Sequence, residues 1–263
     1  IQTVYHLASR AHAVSDTPED NGLYRQVIVD GTRRLVEAAQ QAGVERFVYM
    51  SSVKAMGEGN PDNLPLSPMD EAWPHTPQGP YGRAKLQAEG LVLESGIPHA
   101  VVLRPVMVFG PGEKGNLPRM IEAVRRGRFP PLPETGNRRS MIHLDDVVAF
   151  TLRAASLPAA RGNRYILASL EAVSTRELYE AIRLHLGLRP LKGSVPLWML
   201  QAAAACGSLL GALTGRRLPL DRETLRKLTG SAWYSAARAE ADLEYRAAVE
   251  VTEWLKPDNA PNR

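Results

Sequence analysis

The chain is short of cysteine, of net charge and of long apolar runs, and each shortage narrows what it can be. One cysteine, Cys206, stands among 263 residues, so no disulfide can form within the chain and a reducing, cytoplasmic setting is expected. Lys and Arg number 32 against 28 Asp and Glu, and the two signs interleave along most of the sequence. That balance excludes a nucleic-acid-binding stripe. The clusters Arg125, Arg126, Arg128 and Arg138, Arg139 leave room only for an anionic small molecule, and the first is most simply a solvated helix face. No basic leader with an apolar core precedes the first strand-like run, so no signal peptide is visible. No G-x-S-x-G elbow makes Ser51 or Ser52 a hydrolase nucleophile. His143 with Asp145 and Asp146 has no second ligand cluster; a strand-end histidine followed by Asp145 as helix N-cap is expected, and no metal. The one long uncharged stretch, residues 195–214, is weak in hydrophobicity and interrupted by Pro196 and Gln201. It reads as a buried or partner-facing helix, with membrane association not expected.

What is present is the composition of a globular enzyme, 44% apolar and 23% charged, on a chain long enough for a large core. Strand and helix signals alternate through the first half, which predicts a parallel sheet with crossover helices. Strands are expected at residues 3–8, 46–50, 99–104 and 164–168. Helices are expected at 30–42 (closed by Gly43), 81–95 and 117–126, with a polar loop over 57–79. Two or three further helical segments follow residue 170.

The chemistry concentrates in Pro80-Tyr-Gly-Arg-Ala-Lys85 and in Ser51-Ser52 at the end of the second strand. Positions four apart share a helix face, so Tyr81 and Lys85 can act on one substrate atom. An ammonium beside a phenol of ordinary pKa ~10 favours the phenolate. Strand ends are where an open parallel sheet presents ligand-binding groups, which suits Ser52. Serine, tyrosine and lysine together fit proton transfer at a carbinol or carbonyl. His6 reads as a packed strand residue and not as a catalyst. Gly110-Pro-Gly-Glu-Lys-Gly115 matches G-x-G-x-x-G but is read as a loop over a pocket. It follows at least three strands, Pro111 lacks an N–H, and Pro118 is expected at the first helical position, leaving Gly115 outside the helix.

Taken in order, Leu7-Ala-Ser9, Gly31-Thr32, Ser51-Ser52, Pro80-Tyr-Gly-Arg-Ala-Lys85, Leu103-Arg-Pro-Val-Met-Val-Phe-Gly-Pro-Gly112 and Arg139-Ser-Met-Ile-His-Leu-Asp-Asp146 resemble the extended short-chain dehydrogenases. Within these the chain is similar to the NAD-dependent epimerase/dehydratase group, UDP-glucose 4-epimerase-like members above all. Ser51-Ser-Val-Lys-Ala-Met-Gly-Glu58 and Asn137-Arg-Arg-Ser140 also resemble 4-keto-sugar reductases of surface-polysaccharide pathways. The resemblance implies a Rossmann-type doubly wound parallel sheet over residues 1–106 and 138–158, and a smaller, mostly helical nucleotide-sugar lobe over 107–137 and 159–263. It places the family's Gly-rich phosphate loop upstream of Ile1. It implies NAD, with NADP as the alternative, a UDP-sugar substrate and a homodimer through the helices near 32–42 and 81–95.

Carried over position by position, the resemblance makes Tyr81 the acid or base, Lys85 its pKa-lowering partner and ribose ligand, and Ser52 the group bonded to the reacting oxygen. Leu7, Ala8, Ser9 and Ser51 would line the cofactor, with Pro105 and Val106 near its nicotinamide. Asn116 and Arg139 would grip the nucleotide diphosphate, Leu117 is expected among the substrate-binding residues, and Pro131, Leu132 and Pro133 would lie beside the uracil. Leu132 and Met107 hint at an apolar pocket wall. Three departures stand out. Ile28 occupies a position where the family usually has asparagine, Met107 one where epimerases often have it, and Val53 and Lys54 stand where 4,6-dehydratases carry Asp-Glu. Elimination is therefore disfavoured. The expected reaction is C4 epimerisation of a UDP-hexose through a 4-keto intermediate; the alternatives are NAD(P)H-dependent reduction of a UDP-4-keto sugar and non-catalytic dinucleotide binding.

Overall fold

The computed structural model describes residues 1–10, 22–57, 67–113, 115–190, 193–214 and 220–256. Strands are β1 (Thr3–His6), β2 (Arg46–Met50), β3 (His99–Pro105), β4 (Met107–Phe109), β5 (Arg139–His143), β6 (Arg164–Leu167) and β7 (Ala172–Val173). The helices are numbered α1 (Gly31–Gln41), α2 (Pro80–Leu93), α3 (Asn116–Arg125), α4 (Leu144–Ser156), α5 (Thr175–His185), α6 (Leu197–Thr214), α7 (Arg222–Thr229), α8 (Ala237–Asp242) and α9 (Val251–Trp254).

The main sheet has the order β1-β2-β3-β6, every neighbouring pair parallel. Its central strands are apolar on both faces, as a sheet covered on both sides requires. Phe47, Tyr49, Ala100 and Val102 pack with Val36 and Ala39 of α1 and Ala84, Ala88 and Val92 of α2. The alternate residues Val48, Val101 and Leu103 pack with Val147, Phe150 and Ala154 of α4. Gly43 at φ 64 closes α1, its N–H bonded to Gln40 O at 3.1 Å. The turn before α1, Arg25–Asp30, is a π-helical segment that buries Ile28.

Four expectations change. β6 hydrogen-bonds to β3, so residues 164–167 belong to the main sheet and not to the lobe. α3 begins at Asn116 directly after Gly115, which puts Pro118 at the third helical position and Gly115 at the helix entrance. α4 is capped by His143, whose ring nitrogen accepts from Asp145 N at 3.3 Å, and Asp145 lies inside the first turn. Of the two readings of the helix within residues 195–214, buried or partner-facing, burial falls: α6 holds only Leu200, Ala204 and Gly207 inside. Part of the 57–79 loop falls outside the described residues.

β4, β5 and β7 form a second sheet that begins the smaller lobe. Phe109, Leu117, Val124, Met141, Leu178, Tyr179 and Ile182 make its core. α6 and α7 attach through a separate cluster of Leu132, Leu200, Ala204 and Leu225.

Candidate active site

The site forms at the carboxyl ends of β1 and β2, where α2 closes on them. Gly79 at φ 108 turns the chain and Pro80 takes the first helical position, so α2 starts beside the strand ends. The first turn then meets the 3-10 turn Val53–Ala55 that Ser52 caps, its hydroxyl accepting from Lys54 N at 3.3 Å. Contact is so close at Gly82 that a Cβ there would lie 2.3 Å from Lys54 O. A glycine one residue after Tyr81 is what lets the phenol reach Ser52.

Tyr81 sits half-buried between the hydroxyls of Ser9 and Ser52, with the Tyr24 ring edge-on at 5.7 Å. Burial pushes its phenol above the ordinary range, and the two serine hydroxyls pull it back. Ser9 Oγ is itself buried and makes no hydrogen bond of full geometry, which leaves it open to a ligand. Lys85, 1% exposed, donates to Met50 O at 2.7 Å and stands 6.0 Å from the Tyr81 ring centre. One of its three N–H groups is used in that bond. Burial lowers the Lys85 ammonium to about 8, with Glu89 opposing the fall. The expected lowering of the phenol by Lys85 is not what acts in the free site: burial raises Tyr81, and it is the Ser9 and Ser52 hydroxyls that oppose the rise. His6 donates or accepts at Thr32 Oγ1, 2.9 Å away, and burial then Lys85 lower it to about 4, so it is neutral near pH 7.

Behind Lys85 lies a buried charge network that motif reading missed. Glu89, two turns along α2 from Tyr81, accepts Arg104 Nε at 2.9 Å and Arg104 Nη2 at 2.6 Å. It also accepts Arg164 Nε at 3.1 Å and Ser51 Oγ at 2.5 Å. Both Glu89 and Arg104 side chains are fully buried, and Arg104 Nη1 lies 3.1 Å from His75 Nε2. The network fastens α2 to β2, β3 and β6. The only sequence signal was an acid at i, i+4, i+8 on the Tyr81–Lys85 face.

Ser9, Ser52, Tyr81 and Lys85 are therefore assembled together. Leu7 and Ala8 are exposed at the end of β1, and Pro105 ends β3 on the other side of β2. Ser51 commits its hydroxyl to Glu89, and Val106 is buried in the core beneath α4. Asn116 and Leu117 open α3, but Leu117 packs into the lobe core. At this helix entrance the Glu113 carboxylate accepts from the N–H groups of Gly115 and Leu117. An acid on those amides stands where an anion would otherwise dock, which accounts for the Gly-rich loop as something other than a phosphate cradle. Pro131 O accepts from Val195 N at 2.9 Å and Leu132 O from Arg176 Nη1 at 2.9 Å. The Leu132 side chain is covered by α6 and α7 and walls no open pocket; Pro133 is half-buried. Met107 packs against the lobe core, and Arg139 opens β5, half-buried. Arg125 and Arg126 pair with Glu122 at the surface of α3.

The model of the NAD dependent epimerase/dehydratase family matches residues 1–168, a span that takes in β6. The UDP-glucose 4-epimerase of Vibrio cholerae is 30% identical over 261 residues, covering 96% of this chain and 74% of that protein. The 4-hydroxy-2-methyl-3-oxo-4-farnesyl-3,4-dihydroquinoline-1-oxide ketoreductase of Stigmatella aurantiaca is 28% identical over 258 residues, 96% of this chain and 75% of that protein. The solved structure of MoeE5 in complex with UDP-glucuronic acid and NAD is 27% identical and superposes with a TM-score of 0.69, over 98% of this chain and 78% of that one.

Proposed function

The chain belongs to the NAD dependent epimerase/dehydratase family, and on that premise we propose that it is an NAD(P)-dependent 4-epimerase of a UDP-hexose. The observation that carries the reading is one phenol, Tyr81, set between two serine hydroxyls with a buried ammonium behind it.

The residues present fit a nicotinamide dinucleotide. Ser9 offers a buried hydroxyl that faces only the Tyr81 phenol, and Lys85 keeps two N–H donors beyond its bond to Met50 O, suited to ribose hydroxyls. NAD, when bound, supplies the hydride acceptor and donor at C4 of the sugar. The protein's own part is proton handling. Tyr81 as phenolate takes the 4-hydroxyl proton, and Ser52 donates to the same oxygen to hold it in line. Burial keeps the phenol protonated in the free site, which is the form that returns a proton to the 4-keto oxygen. Lys85 stabilises the phenolate in the opposite direction, its charge facing the ring. No carboxyl follows Ser52, since Val53 is buried in the core and Lys54 is exposed, and this supports redox at C4 without elimination.

The test supplies UDP-glucose and UDP-N-acetylglucosamine with NAD, and a UDP-4-keto-6-deoxy sugar with NADPH. Interconversion of C4 epimers without net cofactor consumption is expected. Stoichiometric NADPH oxidation by the keto sugar alone replaces this reading with the reductase, and retained full turnover in Tyr81→Phe removes the assigned base.

A further inference from the structure

α6 presents to solvent a face that a soluble helix ordinarily covers with charge. Leu200, Ala204 and Gly207, spaced four and three apart, form its inner stripe, packed with Leu132 and Leu225. At Gly207 a Cβ would come within 2.0 Å of Leu220 O, so α6 is held tightly to the lobe. On the opposite side Trp198, Leu209 and Leu213 are 68%, 64% and 74% exposed, with Ala202 and Cys206 exposed between them. Met199 and Leu210 widen the stripe, and no charged residue occurs from Leu197 to Thr214. Contiguous exposed apolar surface of this kind marks an interaction site.

Charge on either side of the helix says what it meets. From residue 181 to residue 220 there is no Asp or Glu, whereas Arg183, Arg189, Lys192, Arg216 and Arg217 are basic. This stretch carries more positive charge than the whole chain's net +4. A second copy would bring two such basic segments together. A surface that is anionic outside and apolar beneath satisfies both features.

We infer that α6 docks flat on the surface of a bilayer containing anionic lipids, with Trp198, Leu209 and Leu213 inserted. It does not cross. Eighteen residues rise only ~27 Å against a hydrocarbon core of ~30 Å, and the inner stripe keeps the helix on the lobe. Trp198 in the first turn has the amphipathic ring that membrane interfaces favour. Weak hydrophobicity and the interruptions at Pro196 and Gln201 speak against membrane association, and it is the exposed face that reverses that expectation.

Sedimentation of the full chain with vesicles of phosphatidylcholine alone, and of phosphatidylcholine mixed with phosphatidylglycerol, tests this. The chain is expected to pellet with the anionic vesicles, less so at high salt, and with a blue shift of tryptophan emission that Trp198→Phe abolishes. The double variant Leu209→Glu/Leu213→Glu should partition at least ~10-fold more weakly, with unchanged circular dichroism and thermal unfolding because both side chains point to solvent. Failure of the wild type to pellet with anionic vesicles overturns the inference, as does equal pelleting of the double variant. A concentration-dependent dimer that the double variant dissociates, without vesicle binding, assigns the face to a second copy and overturns it too.

Discussion

Lys85 and Glu89 stand one helical turn apart on α2, both out of water, and their charges are held by different strands. Lys85 donates to the Met50 carbonyl at the end of β2, 2.7 Å away, while Glu89 takes a two-point bond from Arg104 of β3. One helix face thus carries the Tyr81 phenol, the Lys85 ammonium and the anchor that fixes both against the sheet.

The buried ammonium is a stability cost that the proposed function requires. Its folded value, about 8, lies below the ordinary 10.5, so between these limits the unfolded chain binds more protons and stability rises with pH. Below about 8 the penalty is fully present. Lys85→Met is therefore expected to raise the urea midpoint near neutrality while lowering turnover at least ~100-fold. The stability gap between variant and wild type should narrow as pH rises through this window. A midpoint that falls at neutral pH would show that the Met50 bond outweighs desolvation.

Glu89→Gln leaves two guanidinium groups facing a neutral amide, with Arg104 wholly buried. Removing one partner of such a pair costs ~3–5 kcal/mol, more than exchanging both for apolar groups. Urea unfolding of Glu89→Leu, Arg104→Met and the double variant Glu89→Leu/Arg104→Met should show the double variant more stable than the sum of the single losses. Additive losses would mean the two side chains act separately.

Gly82→Ala puts a methyl 2.3 Å from Lys54 O, a backbone atom that cannot swing aside. The first turn of α2 must move away from the Ser52 turn. Crowding of this kind costs ~1–3 kcal/mol, and turnover is expected to fall by more than the stability loss explains, because Tyr81 retreats with the helix. Kinetics on folded variant, checked by circular dichroism, decide it; unchanged kcat would separate the Ser52 contact from catalysis.

The difference between what was legible and what was not has a physical pattern. Tyr81, Lys85 and Ser52 were legible because helix periodicity and strand ends fix where such side chains point. Glu89 and Arg104 were not, since each alone reads as a surface charge and only the sheet order brings β3 and β6 onto α2. His143 displaced Asp145 as the α4 cap because its ring nitrogen already lies at the helix entrance. The exposed face of α6 was hidden for a different reason: an uncharged run has the same composition whether covered by protein or not.

Tyr81→Phe keeps the ring packed against Tyr24 and removes only the proton carrier. Turnover should drop by ~10²–10⁴ while cofactor binding, read by fluorescence quenching, changes little. Loss of cofactor binding together with turnover would make Tyr81 a binding group and not the acid–base.

The most direct measurement follows UDP-glucose carrying deuterium at C4, incubated with the protein and a catalytic amount of NAD. The account predicts UDP-galactose that retains deuterium at C4, with no build-up of reduced cofactor, because hydride leaves and returns at one carbon while Tyr81 moves the hydroxyl proton. Product without deuterium, or no product from this sugar and from UDP-N-acetylglucosamine labelled in the same way, would contradict it.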